Sequence, residues 1–205
     1  MPNTLKDNMK VGLEVVHRVR KDIPKSMNYD STSSAISSNG VGLFSGGLAS
    51  ANQFRNVRDQ VTTKLQNANY QAFWKTSTNR TLVREIYELV QGTDTGNCLE
   101  QAFYTAHILK EKGKAVDVVR VKPTNANANT DTAVVPHWFA VIGRTNGSNN
   151  NKTIIGLPNS WGNTAVVVDS WDKAVYPASL YRQFWNGLIR AARGNALTTE
   201  LWVRI

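Results

Sequence analysis

The chain has 205 residues, of which 41% are hydrophobic and 19% are charged, and this balance predicts one globular domain with a hydrophobic core of its own. It contains a single cysteine, which excludes an internal disulfide framework. The longest apolar stretch, around residues 134–142, is too short to cross a bilayer, and the residues after Met1 lack the pattern of a classical secretion signal.

The formal net charge of +9 raises the question of nucleic-acid binding. A nucleic-acid face usually gathers its Lys and Arg side chains with stacking aromatics between them. Here the cations are spread along the chain, and the group formed by Lys110, Lys112 and Lys114 is typical of a helix end, where cations face the negative pole of the dipole. The pattern disfavours nucleic acid, and binding to acidic surfaces or lipid headgroups stays open.

The first part of the chain is predicted to be loose. Residues 28–50 are rich in Ser and Gly and poor in large apolar side chains, so residues 1–50 are predicted to be a flexible or loosely packed amino-terminal segment. Residues 51–205 are predicted to form a single domain. Helices are expected over about 51–66 and 81–91.

The second half of the chain predicts an α+β arrangement. From Cys98 onward the pattern changes from a helix to several strands, then to a helix and a last strand. Polar loops at 123–132 and 145–152 interrupt it. We expect helices packed against one side of an antiparallel sheet.

The helix that begins at Cys98 has the clearest signals. Asn97 can cap it, and Glu100 can reach back in a variant of the capping box. Gly113 follows a lysine-rich last turn and ends the helix. The Cys98 thiol therefore lies in the first turn, where unpaired amide hydrogens and the positive end of the dipole stabilise a thiolate. This is where a nucleophile is expected.

A thiol nucleophile needs a histidine as base, and the chain contains three. His17 lies in the basic amino-terminal region and is expected at the surface. His107 follows Cys98 by nine residues (107 − 98) on the same helix, about half a turn away from the thiol. His137 begins a run with strand character and is the histidine expected to meet Cys98 across the fold.

The base needs an acceptor that orients its ring. Asp169 ends an apolar strand, where its carboxylate can emerge beside the strand of His137. Asn159 offers an amide oxygen for the same role, and Asp172 is a third candidate beyond the strand.

Three stretches together resemble a known group of enzymes. "GNCLEQAF", "HWFAVIG" and "VVVDSW" are similar to the Cys-His-Asp core of the papain-like and transglutaminase-like superfamily. Within it they are most similar to the catalytic domains of bacterial toxins and secreted effectors that deamidate or cleave host proteins. The resemblance covers about residues 91–177. It implies a papain-like or transglutaminase-like α+β core within residues 51–205 as the catalytic domain.

The resemblance also implies roles for particular residues. Cys98 would be the nucleophile, His137 the base and Asp169 the residue that orients the base. The separation of 39 positions between Cys98 and His137 (137 − 98) is close to that expected for the group. Asp169 follows His137 by 32 positions (169 − 137), which is longer than usual, and the string "NSWG" around Asn159 matches the surroundings of the catalytic asparagine in papain enzymes. The choice between Asp169 and Asn159 therefore stays open.

Three functions remain in view. The first is a secreted effector or toxin that deamidates a glutamine or asparagine side chain of a target protein, and the second is a thiol protease of the same superfamily. The third is a basic binding module whose thiol is incidental. For the two enzymes, the main-chain amide hydrogen of Cys98 would help to hold the oxyanion, and the side-chain amide of Gln91 or Asn97 would be the second donor.

The expected partners and location follow from the same resemblance. The partner would be a target protein in a host cell, and the resemblance leaves room for a chaperone or immunity protein. Secretion independent of a signal peptide and action in the target-cell cytoplasm are expected, with a cytoplasmic location as the alternative. We expect no cofactor and no metal, because one cysteine and scattered histidines offer no ligand cluster.

Overall fold

The computed structural model describes residues 4–24, 56–64, 76–93, 95–124, 136–150, 153–192 and 196–205. The helices are α1 (Leu5–Asp22), α2 (56–64), α3 (Thr76–Gln91), α4 (Cys98–Glu111), α5 (Tyr181–Phe184) and α6 (Asn186–Ala191). The strands are β1 (Val116–Pro123), β2 (His137–Ile142), β3 (Thr153–Ile154), β4 (Val166–Asp169), β5 (Ala174–Pro177) and β6 (Leu197–Arg204).

The strands form a six-stranded sheet in the order β3-β6-β1-β2-β4-β5. Every pair of neighbouring strands is antiparallel. Helices and an antiparallel sheet in one unit confirm the predicted α+β class.

Each face of the sheet packs against its own layer. Alternate residues point to opposite faces of a strand, so Ala140 and Val168 belong to the core cluster that includes residues of α1 to α4, whereas Phe139 and Val167 pack on the other side. We call these the helix face and the second face. The short helices α5 and α6 cover the second face through Trp185 and its neighbours. The prediction that helices pack on one side of the sheet holds for α1 to α4, which lie on the helix face. It does not hold for α5 and α6, because β2 and β4 are apolar on both faces and the second face is covered as well.

The amino-terminal segment is not loosely packed throughout, so the prediction for residues 1–50 was wrong over α1. Thr4 caps α1, and Val15 and Val19 are completely buried against the helix face. The buried residues of α1 recur at helical spacing: Gly12, Val15, Val16 and Val19. The charged residues between them lower the mean hydropathy of the helix, so this narrow apolar stripe is difficult to recognise in the sequence. The Ser- and Gly-rich residues 28–50 lie outside the described residues.

The helices before Cys98 are placed close to their predicted positions. Residues 56–64, within the predicted helix over 51–66, are helical, and the remainder of that range lies outside the described residues. Helix α3 begins at Thr76, earlier than the expected residue 81, and its Leu82, Ile86 and Val90 are buried. No helix among the described residues has the length and apolar character needed to cross a membrane.

Gly12 tests how closely α1 approaches the sheet. A Cβ atom at Gly12 would lie 2.8 Å from Cγ1 of Val175 and 3.1 Å from Cγ2 of Val168. An alanine in a helix gains up to about 1 kcal/mol over glycine, but overpacking against stiff valine side chains costs about 1–3 kcal/mol. We expect Gly12→Ala to lower the urea midpoint of unfolding.

Gly187 of α6 supplies the control for this substitution, because a Cβ atom added there would meet no other atom within 4 Å. Gly187→Ala should leave the midpoint unchanged or raise it. Equal midpoints for the two variants would contradict the close packing of α1 against β4 and β5.

Candidate active site

The first turn of α4 is held by a buried carboxylate. Glu100 is completely buried, and its Oε2 accepts a hydrogen bond from the main-chain N–H of Asn97 at 2.9 Å. This contact belongs to the predicted capping box around the N-cap residue Asn97. Arg58 of α2 forms an ion pair with Glu100, with Nε 2.7 Å from Oε1. Asn97 and Glu100, which flank Cys98, are thereby linked to α2.

The turn that leads into α4 has little room to move. Gln101 is buried, and its Nε2 donates to the carbonyl oxygen of Gly96 at 2.9 Å. A Cβ atom at Gly96 would lie 2.9 Å from Cβ of Glu100, so the backbone approaches the helix more closely than another residue permits. These contacts fix the backbone on which the half-buried Cys98 stands.

The pairing of β2 with β4 brings His137 and Asp169 together. Ala140 lies opposite Val168, so continuing this antiparallel register places Asp169 opposite Phe139. His137 is then the diagonal neighbour of Asp169 on the same face, and such neighbours lie within reach of long side chains. The two side chains meet, with Nε2 of His137 2.5 Å from Oδ2 of Asp169, and both residues are buried.

The other two candidates for the acceptor do not occupy this position. Asn159 is exposed in a short 3₁₀ turn, Pro158–Ser160, and no hydrogen bond joins it to His137 in the described part of the chain. Asp172 contributes its main-chain N–H, which donates to Oδ1 of Asp169 at 3.1 Å. Both oxygens of Asp169 are therefore occupied, one by the imidazole and one by the backbone.

Cys98 approaches His137 at the end of β2. Its Sγ lies 3.9 Å from the carbonyl oxygen of Pro136, the residue directly before His137. Because Nε2 of the imidazole faces Asp169, Nδ1 is the nitrogen that remains for the thiol. The structure therefore brings together the three residues for which the sequence predicts catalytic roles.

The surroundings of His137 favour its charged form. Burial lowers the pKa of His137, but the negative charge of Asp169 and its hydrogen bond outweigh the burial, and Cys98 adds to their effect. The pKa is held well above its ordinary value. The charged imidazolium of His137 is thereby favoured over the neutral ring.

Trp171 lies beside His137 and was not predicted from the sequence. Its ring centroid is 5.4 Å from that of the imidazole, and the Phe139 ring lies at 5.8 Å. Trp171 lies in the turn after β4, two residues beyond Asp169, and no periodic pattern in the sequence pointed to it. The imidazole therefore has aromatic neighbours both on its own strand and in the turn after β4.

A buried hydrogen bond links α4 to the turn after Asp169. Oγ1 of Thr105 lies 2.6 Å from Oγ of Ser170, and both residues are buried. Thr105 follows Cys98 by seven residues (105 − 98) and so lies on the same side of the helix. The bond therefore ties the helix of the thiol to the strand of the carboxylate.

The remaining histidines lie elsewhere, as predicted. His17 is exposed on α1. His107 stacks on Tyr87 with the ring centroids 4.0 Å apart. Within the described ranges, no group of three or more His, Cys, Asp or Glu side chains is arranged to hold a metal ion.

The predicted second oxyanion donors gain no support. Asn97 is buried as the N-cap, and its side chain takes part in the capping box with Glu100. Gln91 is exposed at the last residue of α3, and no hydrogen bond joins it to Cys98 or His137 among the residues that the structure describes. The main-chain N–H of Cys98 lies in the first turn of α4, where N–H groups have no carbonyl partner within the helix.

Comparison of the chain with protein-family models, with curated proteins and with solved structures finds no match. The resemblance to the papain-like and transglutaminase-like superfamily therefore stays a prediction from the sequence.

The Thr105–Ser170 bond predicts a specific pattern of stability. Thr105→Val or Ser170→Ala alone leaves a buried hydroxyl without its partner, which costs about 1–3 kcal/mol of unfolding free energy. The double variant removes both hydroxyls and should cost less than the sum of the single losses. Urea unfolding of the four proteins measures this cycle, and strictly additive losses would show that the two hydroxyls do not interact.

The His137–Asp169 pair predicts a raised pKa for the imidazole of His137. NMR titration of the imidazole signals, with His137→Gln to assign the peak, should give His137 a pKa well above about 6.5. Asp169→Asn removes the attraction but keeps the burial, so the pKa should fall below its ordinary value. A His137 pKa that does not respond to Asp169→Asn would contradict the pairing.

The same pair predicts a dependence of stability on pH. The pKa of His137 is higher in the folded than in the unfolded chain, so the folded state binds the proton more tightly. The stabilisation is complete below about pH 6.5, the unfolded value. It is lost as the pH rises through the folded pKa. Asp169→Asn should therefore lower the unfolding free energy more at pH 6 than above the folded pKa.

Proposed function

We propose that the chain is a cysteine-dependent amide hydrolase in which Cys98, His137 and Asp169 act as a catalytic unit. One observation carries the proposal, namely the buried His137–Asp169 hydrogen bond at the strand end that the thiol of α4 approaches. A nucleophile, a base and a residue that orients the base, in contact in this order, are the arrangement that thiol catalysis needs. This order also supports a papain-like or transglutaminase-like core.

The proposed reaction begins with a Cys98 thiolate next to a His137 imidazolium. The Cys98 thiolate attacks the carbonyl carbon of an amide, and the oxyanion forms beside the main-chain N–H of Cys98. The His137 imidazolium gives its proton to the departing nitrogen, and a thioester remains on Cys98. Neutral His137 then takes a proton from water, which attacks the thioester and releases the carboxylic acid. The proton returns the site to its starting state, and Asp169 orients the ring throughout.

We favour deamidation of a glutamine or asparagine side chain of a target protein over cleavage of a backbone peptide bond. Cys98 is half-buried and His137 is only 8% exposed, so access to the nucleophile is narrow. A side-chain carboxamide extends from its backbone and can enter a narrow opening, whereas an extended chain must pass through it. Action as a secreted toxin or effector in a host cell belongs to the proposal on the strength of the motif resemblance.

Alkylation tests the thiol without knowledge of the substrate. Below pH 7, iodoacetamide should modify Cys98 in the wild type faster than in His137→Gln by about tenfold or more, because the imidazolium stabilises the thiolate. His17→Gln removes an exposed histidine and should leave the rate unchanged. Equal rates in all three proteins would favour the binding module with an incidental thiol.

Activity on an unfolded protein tests the reaction. Unfolded casein presents glutamine side chains and peptide bonds at the same time, so ammonia release and new amino termini can be measured together. Cys98→Ala, His137→Ala and Asp169→Ala should each lower the rate by about a hundredfold or more. Asn159→Ala, which alters an exposed residue away from His137, should retain the wild-type rate. New amino termini that require Cys98, without ammonia, would replace the deamidase with the thiol protease.

A further inference from the structure

A depression of about 480 Å³ lies between α3 and α4, near the opposite end of α4 from Cys98. Arg80 and Arg84 of α3 line one side of it, and His107 and Lys110 of α4 line the other. The buried Val83 contributes an apolar part. Neither the thiol nor the His137–Asp169 pair belongs to this depression.

The lining carries an excess of positive charge. Three cationic side chains face one carboxylate, that of Glu111. Arg84 lies 3.7 Å from Glu88 in an exposed pair, which water screens. Among the described residues, Arg80 and Lys110 have no acidic side chain within ion-pair distance. Burial and the charge of Arg80 lower the pKa of Lys110, so the cations are held together at a cost to the folded chain.

His107 adds a hydrogen-bond donor to the same depression. Its ring stacks on Tyr87, and burial lowers its pKa, so the imidazole is neutral near pH 7. A neutral imidazole carries one N–H donor. No hydrogen bond of this ring to another described residue competes with a ligand.

We propose that this depression binds the phosphate group of a small soluble phosphate ester. Its volume falls in the range of small-molecule sites, about 300–1,000 Å³. A phosphate monoester carries about two negative charges, which match the excess of two cations over Glu111 (3 − 1). Guanidinium groups bind phosphate oxygens in a bidentate manner. Val83 and Ile205, which are almost completely buried, form the apolar floor of the depression.

Phenyl phosphate is a suitable probe because it combines a dianionic head with an apolar ring. We expect saturable binding by calorimetry and a saturable shift of the His107 NMR signal. Phenyl sulfate has the same shape and one negative charge, and it should bind about tenfold more weakly or worse. Equal affinity for the two probes, or the absence of a saturable His107 shift, would overturn the proposal.

Paired variants test the location of the site. Arg80→Gln/Lys110→Gln should weaken phenyl phosphate binding by about tenfold or more. Lys6→Gln/Lys10→Gln on α1 lowers the net charge equally and should leave the affinity within about twofold. Equal weakening by both pairs would show that binding follows net charge alone.

Two further measurements complete the design. The urea midpoint of unfolding shows whether each variant is folded. If Arg80→Gln/Lys110→Gln is unfolded, the single variant Arg80→Gln replaces it, because Arg80 is exposed and its loss should weaken binding without unfolding the chain. Vesicles that contain phosphatidic acid present the same phosphate chemistry at a membrane. Binding to these vesicles that depends on Arg80, without binding of phenyl phosphate, would overturn the soluble ligand in favour of a lipid headgroup.

Discussion

The register between β2 and β4 is the constraint on which the candidate active site depends. Ala140 faces Val168 across the pair, and this match puts His137 and Asp169 on the same face at one end of both strands. A shift by one residue would turn one of the two side chains to the helix face and separate the base from its acceptor. The apolar residues on both faces of β2 and β4 resist such a shift, because each has its own packing partners. The core thus holds the pair in place.

The thiol reaches this pair from the other side of the sheet. Helix α4 packs on the helix face, whereas His137 points to the same side as Phe139 on the second face. Contact is feasible because Cys98 begins α4 and His137 begins β2, so the thiol lies next to the first residue of the strand. The ion pair of the buried Glu100 with the half-buried Arg58 holds the start of α4 at this place. Loss of one partner of such a pair leaves a buried charge uncompensated, which is strongly destabilising.

The sequence predicted a structural feature correctly where the interactions that form it act over a few neighbouring residues. The start of α4 at Cys98 was predicted correctly, because Asn97 and Glu100 form a capping box within one turn. Helix α1 was missed, since its apolar stripe is narrow and is surrounded by charges. The neighbour Trp171 was also missed, because it lies in the turn after β4, where strand periodicity does not apply. Arg58 could not have been found, because no local pattern links it to Glu100, which lies 42 residues away along the chain.

The sequence by itself determined the α+β class, the helix start that carries the thiol and the candidates for the base and its acceptor. These features follow from periodicity and capping, which act over a few residues. Only the tertiary structure shows that Asp169, and not Asn159, contacts the imidazole, since the strand register brings that residue to His137. It also decided which cations of α3 and α4 gather around one depression, because the packing of two helices sets those distances. Contacts between distant residues depend on the whole fold, and local patterns do not encode them.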